Sequence, residues 1–314
     1  MGNFNIFKSA FDAGQKGDSS LYDSWLTKFS LSHVKVGSLF KNLQLKEIEQ
    51  LFVNRHEEVK RLAEITGYHR KNKNLGFIHV IGPNGVGLTS FLQLIFTYLN
   101  KLNSNSILYT SASFFSKRDE EDSELFFDEW VETAKNKEIC IIDDCHADLD
   151  MMKSYNITQM KKELINSKPL IIMGWNGIGW TSFKSILYQQ GFEEENNNLI
   201  LEPFKNSDIN KIITTRITYL KEIQNTRPFT EDAIKKISEI SRGLPLLAFY
   251  ILDLSLKECF YTKYNKIDEK FVEKLMNSVN LINLEETLDE LNTTSRLVLI
   301  EILRADKSIG ITAE

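Results

Sequence analysis

Residues 82–89 read GPNGVGLT, one letter away from the phosphate-binding pattern G-x-x-x-x-G-K-[ST]. Gly82, Gly87 and Thr89 are in register, and Leu88 stands where the pattern requires lysine. Such a loop works because glycines let the backbone curl until successive N–H groups point at a phosphate. The dipole of the following helix adds to them. Pro83, Asn84, Gly85, Val86 and Ser90 complete the candidate cradle, and Thr89 offers a hydroxyl suited to Mg²⁺. Leu88 removes a charged donor worth about 1.5–3 kcal/mol, or ~10–100-fold in affinity for the terminal phosphates. The transition state of phosphoryl transfer loses more, because its charge is what that cation stabilises. Binding of ATP or ADP therefore survives this change better than hydrolysis does.

The surrounding sequence has the order such a loop needs. GFIHVIG (76–82) is an apolar strand ahead of it, and SFLQLIFTYLNKL (90–102) is an apolar helix behind it. SILYTSA (106–112), EICIIDD (138–144), PLIIMGWNG (169–177) and NLILEPF (198–204) read as further strands. The helical segments SELFFDEWVETAKN (123–136) and ITQMKKELINS (157–167) lie between them. Alternation of this kind predicts an α/β fold, a parallel sheet covered on both faces. Upstream, LKEIEQLFVNRHEEVKRLAEITGY (45–68) carries the apolar spacing of one helix.

After Phe204 the strands stop, and amphipathic helices follow at 208–223, 230–241, 245–260 and 268–279. The expected organisation is an N-terminal extension (1–48), an α/β core (49–204), an all-α unit (205–283) and the beginning of a further unit (284–314). GITAE (310–314) reads as a helix start capped by Thr312, which predicts that the chain continues past Glu314.

ICIIDD ends in two carboxylates. Asp143, at the carboxyl end of a buried strand, suits a Mg²⁺ site shared with Thr89. Asp144 is placed either to orient a water or to form a turn after the strand. Asn176, at the end of the next strand, either polarises the same water or belongs to an ordinary Asn-Gly turn. Lys71 and Lys73 lie upstream of the loop, but no spacing brings either to the site as a substitute cation.

Composition sets the outer limits. The net charge of −5 provides no global positive field for nucleic acid or anionic membrane. The three cysteines, Cys140, Cys145 and Cys259, form no C-x-x-C pair and predict a reducing compartment. Cys145-His146 is an adjacent pair, which is not a ligand or nucleophile constellation. No apolar run is long enough to span a bilayer, so the expectation is a cytoplasmic protein without a membrane partner.

The loop, IIDD, the strand with Asn176 and the helical unit together resemble an AAA+ ATPase, over roughly residues 48–280. LFVNRHEEVKRLAEI (51–65) is similar to the segment lining the adenine pocket in origin-recognition and replication-initiator ATPases. That resemblance implies nucleotide contacts from Phe52, Val53 and Arg55. EPFKNSDINKIITTR (202–216) is similar to that family's arginine-finger helix, which would make Arg216 a finger acting on a neighbouring subunit. The family's helical lid is followed by a winged-helix DNA-binding domain, and LNTTSRLVLIEILRADKSIGITAE (291–314) looks like its opening helices. The resemblance therefore implies DNA as a partner through that domain, and other AAA+ subunits or proteins as further partners.

Two departures matter. Leu88 replaces the lysine, and RGLPLLA (242–248) carries leucine at 246 where initiators place a sensor arginine. GLPL is instead similar to the STAND signalling ATPases, in which Pro245 would touch nucleotide. The expected function is a nucleotide-binding, DNA-associated protein of initiator type with weak or absent ATP hydrolysis. The alternatives are a STAND-like switch with protein partners and a pseudo-ATPase scaffold that binds no nucleotide.

Overall fold

The computed structural model describes residues 21–38, 45–102, 106–112, 128–148, 154–189, 198–221 and 225–278. Residues 284–314, with the winged-helix expectation and the Thr312 cap, lie outside them.

The strands are β1 (Gly76–Gly82), β2 (Ile107–Ser111), β3 (Ile139–Asp143), β4 (Leu170–Asn176) and β5 (Asn198–Ile200). They form one parallel sheet in the order β2-β3-β4-β1-β5. Side chains alternate across a strand, and this alternation builds two cores. Ile78 and Val80 of β1, Ile139 and Ile141 of β3, and Leu170 and Ile172 of β4 face α4 (His56–Asn72) and α5 (Leu88–Leu102). Their neighbours Phe77, Ile81, Cys140, Ile142, Ile171 and Met173 face the helix at 128–134, α7 (Ser154–Leu164) and α8 (Gly177–Gln189). Both faces of the sheet are therefore dry, which is why its strands read as unbroken apolar runs.

β1 keeps one histidine in this interior. His79 is 6% exposed, and its Nδ1 accepts a hydrogen bond from Trp175 Nε1–H at 3.2 Å. Burial, with the positive charge of Lys161 second, lowers its pKa from 6.5 to about 3. The neutral form is favoured in the fold, so this stability is intact above pH 6.5 and lost as pH falls from there towards 3. The loss is about 1.4 kcal/mol per pH unit, or roughly 2 kcal/mol by pH 5. Urea midpoints measured from pH 7.5 to 5 should fall more steeply for wild type than for His79→Gln; parallel curves would contradict this account.

The helical part beyond Phe204 comprises α9 (Asn206–Lys221), α10 (Glu231–Ile240), α11 (Pro245–Tyr261) and a helix at 269–278. Ile209, Ile213, Ile234, Ile237, Leu252 and Val272 form its core. Pro245 opens α11 at a position where its missing N–H is not needed.

One feature departs from the sequence expectation. Residues 45–68 are not one helix. They form α3 (Leu45–Leu51) and then α4, separated by Asn54 (φ 64°) and Arg55 (φ 70°) in left-handed conformations. The break lets Asn54 Nδ2 donate to Asp208 Oδ2 at 2.9 Å. It also lets the Arg55 guanidinium donate to Glu58 Oε1 (2.8 Å) and to the Glu202 carbonyl, and lie 4.0 Å over the Phe204 ring. Ahead of residue 45, the described residues join the helical part. The helix at 21–27 and α2 (His33–Gly37) place Tyr22, Trp25, Leu26, Leu31 and Val36 in the core of the helical part. Among the described residues, no helix is long and apolar enough to cross a membrane.

Candidate nucleotide site

The 82–89 loop leaves the carboxyl end of β1 and enters α5 at Leu88. Gly85 (φ 81°) and Gly87 (φ 91°) take conformations that favour glycine. Val86 turns inward, 1% exposed, and anchors the loop; a side chain at Gly82 would meet its Cγ1 at 2.7 Å. The lid reaches down from the other side. Leu246 N–H donates to the Gly85 carbonyl at 3.3 Å, and a Cβ on Gly85 would meet Leu246 Cβ at 2.8 Å.

Register brings the rest of the site alongside. β4 lies between β1 and β3, and Gly82 pairs with Asn176. Asn176 Oδ1 accepts from Gly179 N–H at 2.7 Å, capping the start of α8 and leaving the side-chain NH₂ for the cleft. Asn176 thus both caps α8 and lines the cleft.

Asp143 is 1% exposed and accepts from Tyr109 O–H (2.8 Å) and from the Asp144 backbone N–H (2.8 Å). Burial, then the neighbouring Asp144 charge, raises its pKa, against hydrogen bonds that include one from the Thr89 side chain. The Thr89 hydroxyl and the Asp143 carboxylate are hard oxygen donors of the type Mg²⁺ takes. Among the described residues no three His, Cys, Asp or Glu side chains gather into a metal cage. A Mg²⁺ held by Thr89 and Asp143 would therefore need phosphate oxygens and waters to complete its shell, as Mg²⁺ commonly does. Asp144 adopts φ 54° and accepts from Ser111 Oγ at 3.3 Å.

These elements enclose a cleft of about 250 Å³. Gly82, Pro83, Asn84, Gly85, Gly87, Leu88, Thr89, Ser90, Asp144, Asn176, Arg216 and Pro245 line it, twelve positions picked out from the sequence. Whole-ligand pockets run from about 300 Å³ upward, so this volume suits the phosphate end of a nucleotide. Phe52, Val53 and Arg55 are not on its wall. Phe52 lies 6.4 Å from the Phe91 ring, Val53 is buried, and Arg55 ties the β5–α9 junction to α4. Lys71 and Lys73 do not line the cleft either.

Three lining residues were not picked out from the sequence: His146, Leu246 and Phe249. His146 sits in the short 3₁₀ turn Cys145–Asp148 directly after the Asp143-Asp144 pair. Its distance of two residues from Asp144 was the available signal. Cys145 beside it is fully buried, with Sγ–H donating to the Ile142 carbonyl and burial holding the thiol protonated. That fits the expectation that the pair is no nucleophile.

No protein-family model matches the sequence, and no curated protein matches it. Solved structures do match. Aeropyrum pernix ORC1 in complex with DNA is similar over 89% of this chain and 77% of its own, at 16% identity and a TM-score of 0.54. Drosophila ORC bound to DNA covers 83% of this chain and 76% of its own, at 11% identity and 0.53. Thermotoga maritima RuvB T158V covers 85% and 81%, at 18% identity and 0.50. At such identities the likeness speaks to fold: the chain has an AAA+ fold, similar to that of the origin-recognition proteins.

Proposed function

We propose, with the AAA+ fold of origin-recognition type as premise, that this chain binds ATP or ADP in the cleft at residues 82–90. It acts as a DNA-associated protein of initiator type with little or no ATP turnover. The observation that carries the reading is the wall of the cleft: phosphate loop, Asp144, Asn176, Arg216 and Pro245 on one surface, with leucine at 88. Phe52, Val53 and Arg55 remain the proposed adenine side. DNA association is supported by the DNA-bound origin-recognition neighbours. It is assigned to the C-terminal winged helix that the resemblance implies, because the −5 charge of this chain offers no general DNA-binding surface. Other AAA+ subunits are proposed partners, in the cytoplasm.

The turnover claim has a direct test. Wild type should release phosphate from ATP negligibly, while Leu88→Lys should bind ATP about 10–100-fold more tightly by isothermal titration. Turnover typical of AAA+ enzymes in wild type, abolished by Asp143→Ala, would overturn the reading.

One contact favours a second reading. The GLPL segment sets Pro245 on the cleft wall and bonds Leu246 N–H to the phosphate loop. A STAND-like switch, held closed by nucleotide between lid and loop and addressed to protein partners, uses that contact directly. Measured DNA binding separates the two.

A further inference from the structure

We propose that Arg216 is the phosphate-binding cation of this chain's own cleft, taking from the lid the role that Leu88 vacates in the loop. This rests on the cleft being a nucleotide site, and it reassigns Arg216 from a neighbour's site to its own.

Arg216 projects from the middle of α9 and lines the cleft together with Leu88, Thr89 and Ser90. It is the only lysine or arginine among the described residues on that wall. A cation beside a curled, glycine-rich backbone and a helix N-terminus adds to a field that already favours an anion. Among the described residues it has no ion-pair partner within contact distance. Glu47 acts on it only through its field, and that carboxylate accepts from Tyr219 O–H at 3.1 Å. Burial costs the guanidinium part of its preference for the charged form, with Glu47 and Tyr219 opposing. A half-buried cation without a contact partner, beside an anion-binding loop, is a site that gains when phosphate enters.

The neighbourhood suits the task. The guanidinium carbon lies 5.3 Å from the centroid of Phe249, itself on the cleft wall. A cation–π contact with a ring uses no N–H donor of the guanidinium fork, which leaves the fork for an anion. That fork matches two oxygens of one phosphate, which lysine cannot do. A finger acting on another subunit has to project from its own surface; Arg216 is instead half-buried inside its own cleft. A cation supplied by α9 also differs in consequence from one on the loop, because the phosphate becomes the bridge between core and lid.

The test is titration of ATP and ADP into wild type, Arg216→Ala, Arg216→Lys, Leu88→Lys and the double variant Leu88→Lys/Arg216→Ala, with thermal melts to confirm folding. Arg216→Ala should weaken ATP binding about 10–100-fold and ADP binding less. Arg216→Lys should retain part of the affinity even if the alanine variant folds poorly. In the Leu88→Lys background the alanine substitution should cost several-fold less, since the two cations serve one group. Wild type that binds ATP unchanged by Arg216→Ala overturns the assignment and leaves the nucleotide site standing. The same holds if only Leu88→Lys binds. Absence of binding in both wild type and Leu88→Lys removes the nucleotide site itself, and the assignment with it.

Discussion

Trp175→Ala is expected to lower the unfolding free energy by about 3–5 kcal/mol, the range for deleting a large, fully enclosed aromatic side chain. Trp175 is 0% exposed and stacks on Phe183 with centroids 4.4 Å apart. Its indole N–H is also the partner of His79 Nδ1. Truncation thus opens a cavity and strands a buried acceptor. The site should feel the loss as well, because Asn176 follows immediately and pairs with Gly82 of the loop. Trp175→Phe separates the two contributions: it keeps most of the volume and should cost about 1–3 kcal/mol for the unpaired acceptor. Urea unfolding measures both. A loss below 1 kcal/mol for the alanine variant would mean that the β1–β4 interior collapses around the gap.

Gly243→Ala is expected to cost about 2–5 kcal/mol, combining ~1–2 for a left-handed alanine with ~1–3 for overpacking. Gly243 has φ 80°, and a Cβ there would lie 2.3 Å from the Phe204 carbonyl oxygen and 2.8 Å from its nitrogen. Both are backbone atoms and cannot swing aside. The Gly243 carbonyl meanwhile accepts from Phe204 N–H at 2.9 Å, closing the turn before α11 onto the start of the lid. Forcing these strands of chain apart moves Pro245 and Leu246, so nucleotide affinity should fall together with stability. A variant that loses stability while binding nucleotide normally would show that α11 is positioned by its own core.

The sheet and most of the cleft were legible because they depend on local pattern. Alternating apolar residues such as Cys140-Ile141-Ile142 need only a neighbour on each face, and GPNGVGLT needs only its own glycines. The break at Asn54-Arg55 was illegible because apolar spacing runs through it. What stops the helix is a set of partners, Glu202, Phe204 and Asp208, about 150 positions away. Phe249 had the same difficulty: nothing in an apolar helix announces that one of its residues lines the cleft, whereas 246 was marked only as the place of an absent arginine. Arg216 was found by resemblance, but which cleft it faces is a matter of how the lid sits. Placing the proposed adenine contacts meets the same limit, since Arg55 is held by the lid junction.

The helix at 21–27 and α2 share a core with the lid helices, while α3 and the Asn54–Arg55 break connect that body to the sheet. Residues 21–37 are thus built into the lid, and would travel with it in any movement against the sheet. Any molecule that grips this segment in only one lid position is thermodynamically linked to the nucleotide. By reciprocity, it changes nucleotide affinity by the same factor that nucleotide changes its own.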